Sequence, residues 1–241
     1  MSIQLFLLAF GAHPDDVELS CAGTLVKHTR MGLACGIVDL TRGELGTRGT
    51  PEQRDAEATA AAALLGVQVR ENLQMRDGFF QNDEEHQLKI IRVLRTYQPE
   101  IILCNAVDDR HPDHAKAAQL VRDAAFLSGL RKVETRDAHG NPQEAHRPRR
   151  VLHYIQDKDL TPHLLVDITE FFPTKWKSIQ AYKSQFHDEQ SKEPQTYIST
   201  PEFLDGLKGR HLLWGKRIGV RYAEGFTMET PPGLSDLKEL L

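Results

Sequence analysis

LFLLAFGAHPDD, residues 5–16, decides the reading of this chain. Six apolar residues, Leu5 to Phe10, are closed by Gly11, the length and composition of a buried strand. The run is too short to cross a membrane and has neither the basic flank nor the cleavage site of a signal peptide. It hands over, through Ala12-His13-Pro14-Asp15-Asp16, to residues 17–31. There Val17, Leu19, Cys21, Leu25 and Val26 have a helix-like spread that stops before Gly32.

The same alternation continues outward. LACGIVDL (33–40) reads as a second strand, followed by the polar, glycine-rich TRGELGTRGTP (41–51). Thr50 suits a helix cap and Pro51 the first turn of a helix that ends at Leu65, before Gly66. Residues 67–75 give a weak strand. Residues 83–97 give a helix, with Leu88, Ile91, Leu94 and Arg95 at helical spacing and Pro99 beyond its end. EIILCN (100–105) is a third strong strand, and the charged loop AVDDRHPDH leads to a helix over 115–127. Strands are expected again at 151–156 and 164–169, and helices at 170–184 and 202–215. Residues 129–150, with Arg131, Lys132, Arg136, His139, Arg147, Arg149 and Arg150, read as a long exposed excursion. Continuous apolar strands alternating with helices predict an α/β fold: a Rossmann-like, doubly wound, mostly parallel sheet with a C-terminal elaboration. No repeat or linker divides the chain, so one domain over 1–241 is expected. In such sheets ligands bind beyond the carboxyl ends of the strands.

Composition narrows the function. The chain has 241 residues, 40% hydrophobic and 27% charged, enough for a sizeable core. A net charge of −4 gives no basic field for nucleic acid. Cys21, Cys35 and Cys104 are an odd, widely spaced set. They read as reduced core residues of a cytoplasmic protein.

Two clusters carry chemistry. His13-Pro14-Asp15-Asp16 follows the first strand, and His111-Pro112-Asp113-His114 follows the strand EIILCN. Alone, each is a turn with helix-capping carboxylates. At equivalent strand ends of one sheet, they supply imidazole and carboxylate ligands to a divalent metal. The GAHPDD turn lacks the GxGxxG of a dinucleotide site, and no GxSxG, CxxC or HExxH is present. Glu44 and Arg48 could touch substrate or pair on the surface. Trp176 and Trp214 read as core or interface anchors.

The paired motifs, with TRGELGTRGTPEQRDAEA, QAYKSQF, QTYISTPEFL and YAEGF, resemble the zinc-dependent LmbE/PIG-L deacetylases over nearly the whole chain. The similarity extends to the branch that deacetylates N-acetylglucosaminyl-malate in bacillithiol biosynthesis. The resemblance implies that His13, Asp16 and His114 bind one Zn²⁺ per chain. It implies that Asp15 is the general base, that His111 stabilises or protonates the reacting centre, and that Asp113 orients His111. It also implies that Arg54 lies near the substrate and that Tyr197 reaches the acetyl oxygen. The expected partner is a small-molecule GlcNAc conjugate, and the branch forms homo-oligomers, hexamers among them. The ligand types equally tolerate Fe²⁺, Co²⁺ or Mn²⁺.

The residues are consistent with these roles, since adjacent Asp15 and Asp16 can face a water and a metal respectively. The amine could take its proton from Asp15 or from His111. Arg42, Arg48, Arg54 and Arg110 are rim candidates for an anionic aglycone, with Arg48 and Arg54 foremost. The alternatives are another GlcNAc substrate (a chitobiose, inositol or thiol conjugate) and a non-catalytic sugar-binding module, which would not need Asp15.

Overall fold

The computed structural model describes residues 3–189 and 191–240. Seven strands form one sheet in the order β3-β2-β1-β4-β5-β7-β6. They are β1 (Leu7–Gly11), β2 (Cys35–Thr41), β3 (Val69–Met75), β4 (Ile101–Cys104), β5 (Arg150–Tyr154), β6 (Leu164–Asp167) and β7 (Ala223–Thr227). The first five are mutually parallel, and β7 runs antiparallel to both β5 and β6. The α/β fold expected from the strand–helix alternation is therefore present, with an antiparallel strand inserted near one edge.

Side-chain alternation along each strand divides the core into two layers. Leu8, Phe10, Val38, Leu40 and Ile102 face helices α4 (Glu84–Tyr97) and α5 (Pro112–Ser128), meeting Ile90, Leu94, Leu120 and Val121. Leu7, Ala9, Ile37 and Leu103 face the other way, toward Val17 on α1 (Asp16–Ser20) and Leu25 and Val26 on α2 (Ala22–Arg30). A third cluster joins α3 (Pro51–Leu65), α6 (Phe172–Gln180) and α7 (Pro201–Arg217) through Ala58, Ala61, Ile179, Tyr182 and Leu207. None of the described helices is long and apolar enough to cross a membrane.

The structure departs from the sequence expectations at several places, and the helix expected over 170–184 is confined to Phe172–Gln180. The helix expected over 17–31 is two helices, broken at Cys21. The helix expected from 115 begins at Pro112, so Asp113 and His114 lie in its first turn. Strand β7 was not expected. The excursion 129–150 is pinned from beneath by Arg95. Its guanidinium donates to the carbonyl oxygens of Ser128, Leu130 and Val133 and to Thr135 Oγ1, which explains an arginine on the buried face of α4.

One buried ion pair ties the late strand to the early helices. Glu224 of β7 and Lys175 of α6 are both 0% exposed and 2.7 Å apart. Glu224 also accepts from the N–H groups of Gly23 and Thr24 at the start of α2. Removing one partner of such a pair leaves a buried charge without compensation. Glu224→Leu is expected to lower stability by about 3–5 kcal/mol, and adding Lys175→Met to recover part of that loss. Urea unfolding midpoints of the two variants check this.

Candidate active site

The carboxyl ends of β1, β4 and β5 converge on one cavity of about 750 Å³. At the end of β1 the chain turns sharply. Asp16 Oδ2 accepts from the His13 N–H at 3.0 Å, and Asp15 adopts a left-handed backbone with φ 111°. A non-glycine residue held there is strained and needs outside support. Arg54, from α3, gives that support by donating to Pro14 O (2.5 Å) and Asp15 Oδ2 (3.1 Å). Its guanidinium lies against Gly43 (φ +65°), where a Cβ would come within 2.1 Å of Nη1.

Asp16 lies between two buried imidazoles. Its Oδ2 is 3.7 Å from His13 Nδ1, and its Oδ1 is 3.1 Å from His114 Nε2. Each ring is held from its far side by another carboxylate: His13 Nε2 by Asp77 at 3.0 Å, and His114 Nδ1 by Asp109 at 2.5 Å. Carboxylates placed behind histidines fix the tautomer that turns the other nitrogen inward, as at many metal sites. Asn105 and Gln156, just beyond β4 and β5, donate to Asp16 Oδ2 and Oδ1, each at 3.0 Å.

The electrostatics follow from this crowding. Burial opposes charge on His13, but Asp113, Asp77 and Asp16 outweigh it and raise the ring to about 10. Burial is likewise overcome at His114, where Asp16 and Asp109 raise the ring to about 9. Burial alone would raise Asp16, yet the two rings hold it far below the usual carboxylate range. Burial pushes Asp15 up to about 7, against the lowering effect of Arg54. One inner nitrogen of each ring faces Asp16, where a single divalent ion would meet all three groups. The donor set of two imidazoles and one carboxylate thus fits such an ion. His111 also approaches. One ring nitrogen from each of His13, His111 and His114 can be chosen so that all three lie within 4.8 Å of one another.

The structure places several expected residues differently. Asp113 does not orient the His111 ring with its carboxylate. That group faces His13 Nε2 (3.5 Å), accepts from the Gly78 N–H (2.8 Å) and pairs with Lys116 (2.9 Å). His111 instead caps α5, its Nδ1 accepting from the Asp113 N–H at 3.2 Å. Burial and the charges of His13 and His114 lower the His111 pKa, so the ring is neutral with its proton on Nε2. Arg48 is buried and donates to Ser184 O and Ser191 Oγ, although it also borders the cavity. Glu44 lies off the cavity wall and accepts from the Asp77 N–H, with no ion pair to Arg48. Arg42 pairs with Asp55 and Glu52 on the surface. Tyr197 lines the same cavity, 55% exposed at its rim, and its hydroxyl donates to Asp157. Trp214 is a core residue that also borders the cavity. Asp77, Asn105, Asp109 and Gln156 were not singled out from sequence. The position of Asn105 and Gln156 directly after apolar strands was the available signal.

A family model described as PIG-L, GlcNAc-PI de-N-acetylase, matches residues 8–125, a span that holds both histidine motifs. The conserved protein TT1542 from Thermus thermophilus superposes with a TM-score of 0.85 at 36% identity, over 96% of this chain and 97% of that one. The chain belongs to the PIG-L family. Deacetylases of the PIG-L family are enzymes that act on N-acetyl amides. Curated relatives of this PIG-L chain carry several names. A diacetylchitobiose deacetylase of Thermococcus kodakarensis is 28% identical, over 91% of this chain and 81% of its own length. A 4-oxalmesaconate hydratase of Pseudomonas putida is 26% identical, over 76% and 75%. A probable N-acetyl-alpha-D-glucosaminyl L-malate deacetylase 2 of Bacillus anthracis is 26% identical, over 77% and 84%.

The carboxylates behind the rings give the site a measurable signature. His114→Ala is expected to abolish stoichiometric divalent-metal binding, whereas Asp109→Asn weakens it about 10–100-fold. Competition with a chromophoric chelator measures both. Full occupancy in His114→Ala would remove that residue from the ligand set.

Proposed function

We propose that this PIG-L enzyme is a metal-dependent amidase that removes the N-acetyl group of a GlcNAc conjugate, with N-acetylglucosaminyl-malate as the substrate. The observation that carries this reading is Asp15. It is a buried carboxylate, gripped by Arg54, beside an imidazole–carboxylate–imidazole set. A sugar-binding module has no use for such a group.

In this reading His13, Asp16 and His114 would hold the ion, with Zn²⁺ the choice the family resemblance favours. When bound, it supplies Lewis acidity to a carbonyl oxygen and acidity to a water molecule. Asp15 takes the proton of the attacking water as the oxygen adds to the amide carbonyl. Its pKa near 7 suits a group that must accept a proton and then return it. Arg54 holds Asp15 in place and limits the burial-driven rise of its pKa. The neutral His111 ring offers Nε2–H as a hydrogen-bond donor to the developing oxyanion, and the departing amine takes the proton that Asp15 accepted from the water. Asp77, Asp109, Asn105 and Gln156 keep the three ligand residues from reorienting.

The malate assignment rests on the whole-chain resemblance and on the Bacillus anthracis relative. The test is acetate release from N-acetylglucosaminyl-malate, diacetylchitobiose and a GlcNAc-inositol conjugate, side by side. Preference for the malate conjugate supports the reading, and preference for either other sugar reassigns the substrate. Absence of acetate from all three, with hydration of a conjugated dicarboxylate, would move the chain toward the hydratase relative.

Two variants probe the chemistry. Asp15→Asn should retain metal and lose about 10²–10⁴-fold in kcat, because an amide cannot accept the water's proton. Undiminished turnover would eliminate Asp15 as the base. Arg54→Met should reduce kcat/KM to a similar degree for anionic and neutral GlcNAc substrates, because its guanidinium serves Asp15 and not an aglycone. Loss confined to the anionic substrate would contradict that placement.

A further inference from the structure

Most arginines near the cavity already have partners. Arg48 and Arg54 are engaged as described above. Arg70 joins Glu18, Asp39 and Tyr182 beneath the site. Arg110 donates to Asp157 at 3.2 Å and lies over the Tyr197 ring. Arg210, on α7, differs. It lines the same cavity as His111 and His114, and its guanidinium stands 5.4 Å from the Trp214 ring centroid. Its Nε is buried and has no hydrogen-bond partner. Among the described residues the guanidinium enters no hydrogen bond or ion pair.

An arginine stays charged under all ordinary conditions, and Arg210 is half-buried with one buried donor, Nε, unused and its Nη groups free of protein partners among the described residues. The carboxylates that share its surroundings do not meet this need. Asp157 is occupied by Arg110 and by the Tyr197 hydroxyl. Asp109 is occupied by His114 and by the N–H groups of Asp157 and Lys158. Asp159 is exposed and forms no ion pair with Arg210. The sugar and acetamide of GlcNAc are neutral, so they give a fixed cation nothing to neutralise. A cavity of about 750 Å³ has room for more than one sugar ring.

We propose that Arg210 is a specificity-determining residue of this cavity, whose guanidinium binds a carboxylate on the group attached to the amino sugar. The proposal rests on the GlcNAc-conjugate reading above and deepens it: the substrate class is an amino-sugar glycoside with an acidic aglycone. Neighbouring Trp214, its ring centroid 5.4 Å from the guanidinium, lends a cation–π contact, and a guanidinium can offer a carboxylate two donors at once.

The test measures binding and turnover separately. Glucosaminyl-malate and its dimethyl ester are titrated calorimetrically into wild type, Arg210→Met and Arg210→Lys. Acetate release is followed on the N-acetyl forms of both compounds. Wild type is expected to bind the diacid about 10–150-fold more tightly than the diester. Arg210→Met is expected to abolish that preference and Arg210→Lys to keep part of it, with diester binding equal in all three. Equal diester binding also verifies that the variants are folded. Wild type showing no preference, or a preference that survives in Arg210→Met, overturns the proposal. A preference that depends on Arg210 without acetate release from either compound supports the anchor and overturns the deacetylase reading. Acetate release with no dependence on Arg210 does the reverse.

Discussion

The contact of Asp16 with two buried imidazoles is the constraint around which the site is arranged. A carboxylate this deep requires compensation, and it receives it from rings on two different motifs, about a hundred residues apart in sequence. Each ring is fixed in turn by a carboxylate of its own. Asn105 and Gln156, at the ends of neighbouring parallel strands, occupy the remaining lone pairs of Asp16. The sheet therefore acts as a ruler: the spacing of β1, β4 and β5 sets the distances among the groups that meet beyond their ends.

Beneath that cluster the protein carries other buried charges that do no chemistry in the proposed reaction. Glu18 and Asp39 share Arg70, and Glu224 pairs with Lys175. Buried pairs of this kind contribute little net stability compared with apolar replacements. Their effect is geometric. Arg70 binds α1 to β2, and Glu224 binds β7 to the start of α2, so the helix carrying Asp16 is held at both flanks.

Much of this was legible in the sequence where the signal was local. Continuous apolar runs marked β1, β2 and β4, and the paired histidine motifs marked the strand ends that converge. What could not be read depended on partners distant in sequence. Strand β7, AEGFT, contains a glutamate and a glycine where a core strand should be apolar. Glu224 is buried because Lys175 and the α2 N–H groups meet it, and at Gly225 an added Cβ would come within 3.2 Å of the Trp214 ring, a tight contact. Asp77 and Asp109 looked like ordinary loop acids until the rings they hold were placed. Sequence also brought Arg48 and Arg54 to the rim without revealing that one binds Ser184 and Ser191 and the other Asp15.

The inserted antiparallel strand has a consequence for how the chain assembles. Among the described residues β6 pairs in the sheet with β7 alone, and β7 lies about 60 residues further along the chain. During synthesis β5 and β6 leave the ribosome before the strand that joins them. α7, which walls the cavity, sits between β6 and β7 in sequence. The parallel half, with its histidines, can reach its final arrangement early, while the substrate-facing wall waits for the last strand. Long-range pairings of this sort slow folding. A chain stalled just short of residue 223 would therefore present the histidine–carboxylate cluster beside a sheet that still lacks β7, the strand joining β5 to β6.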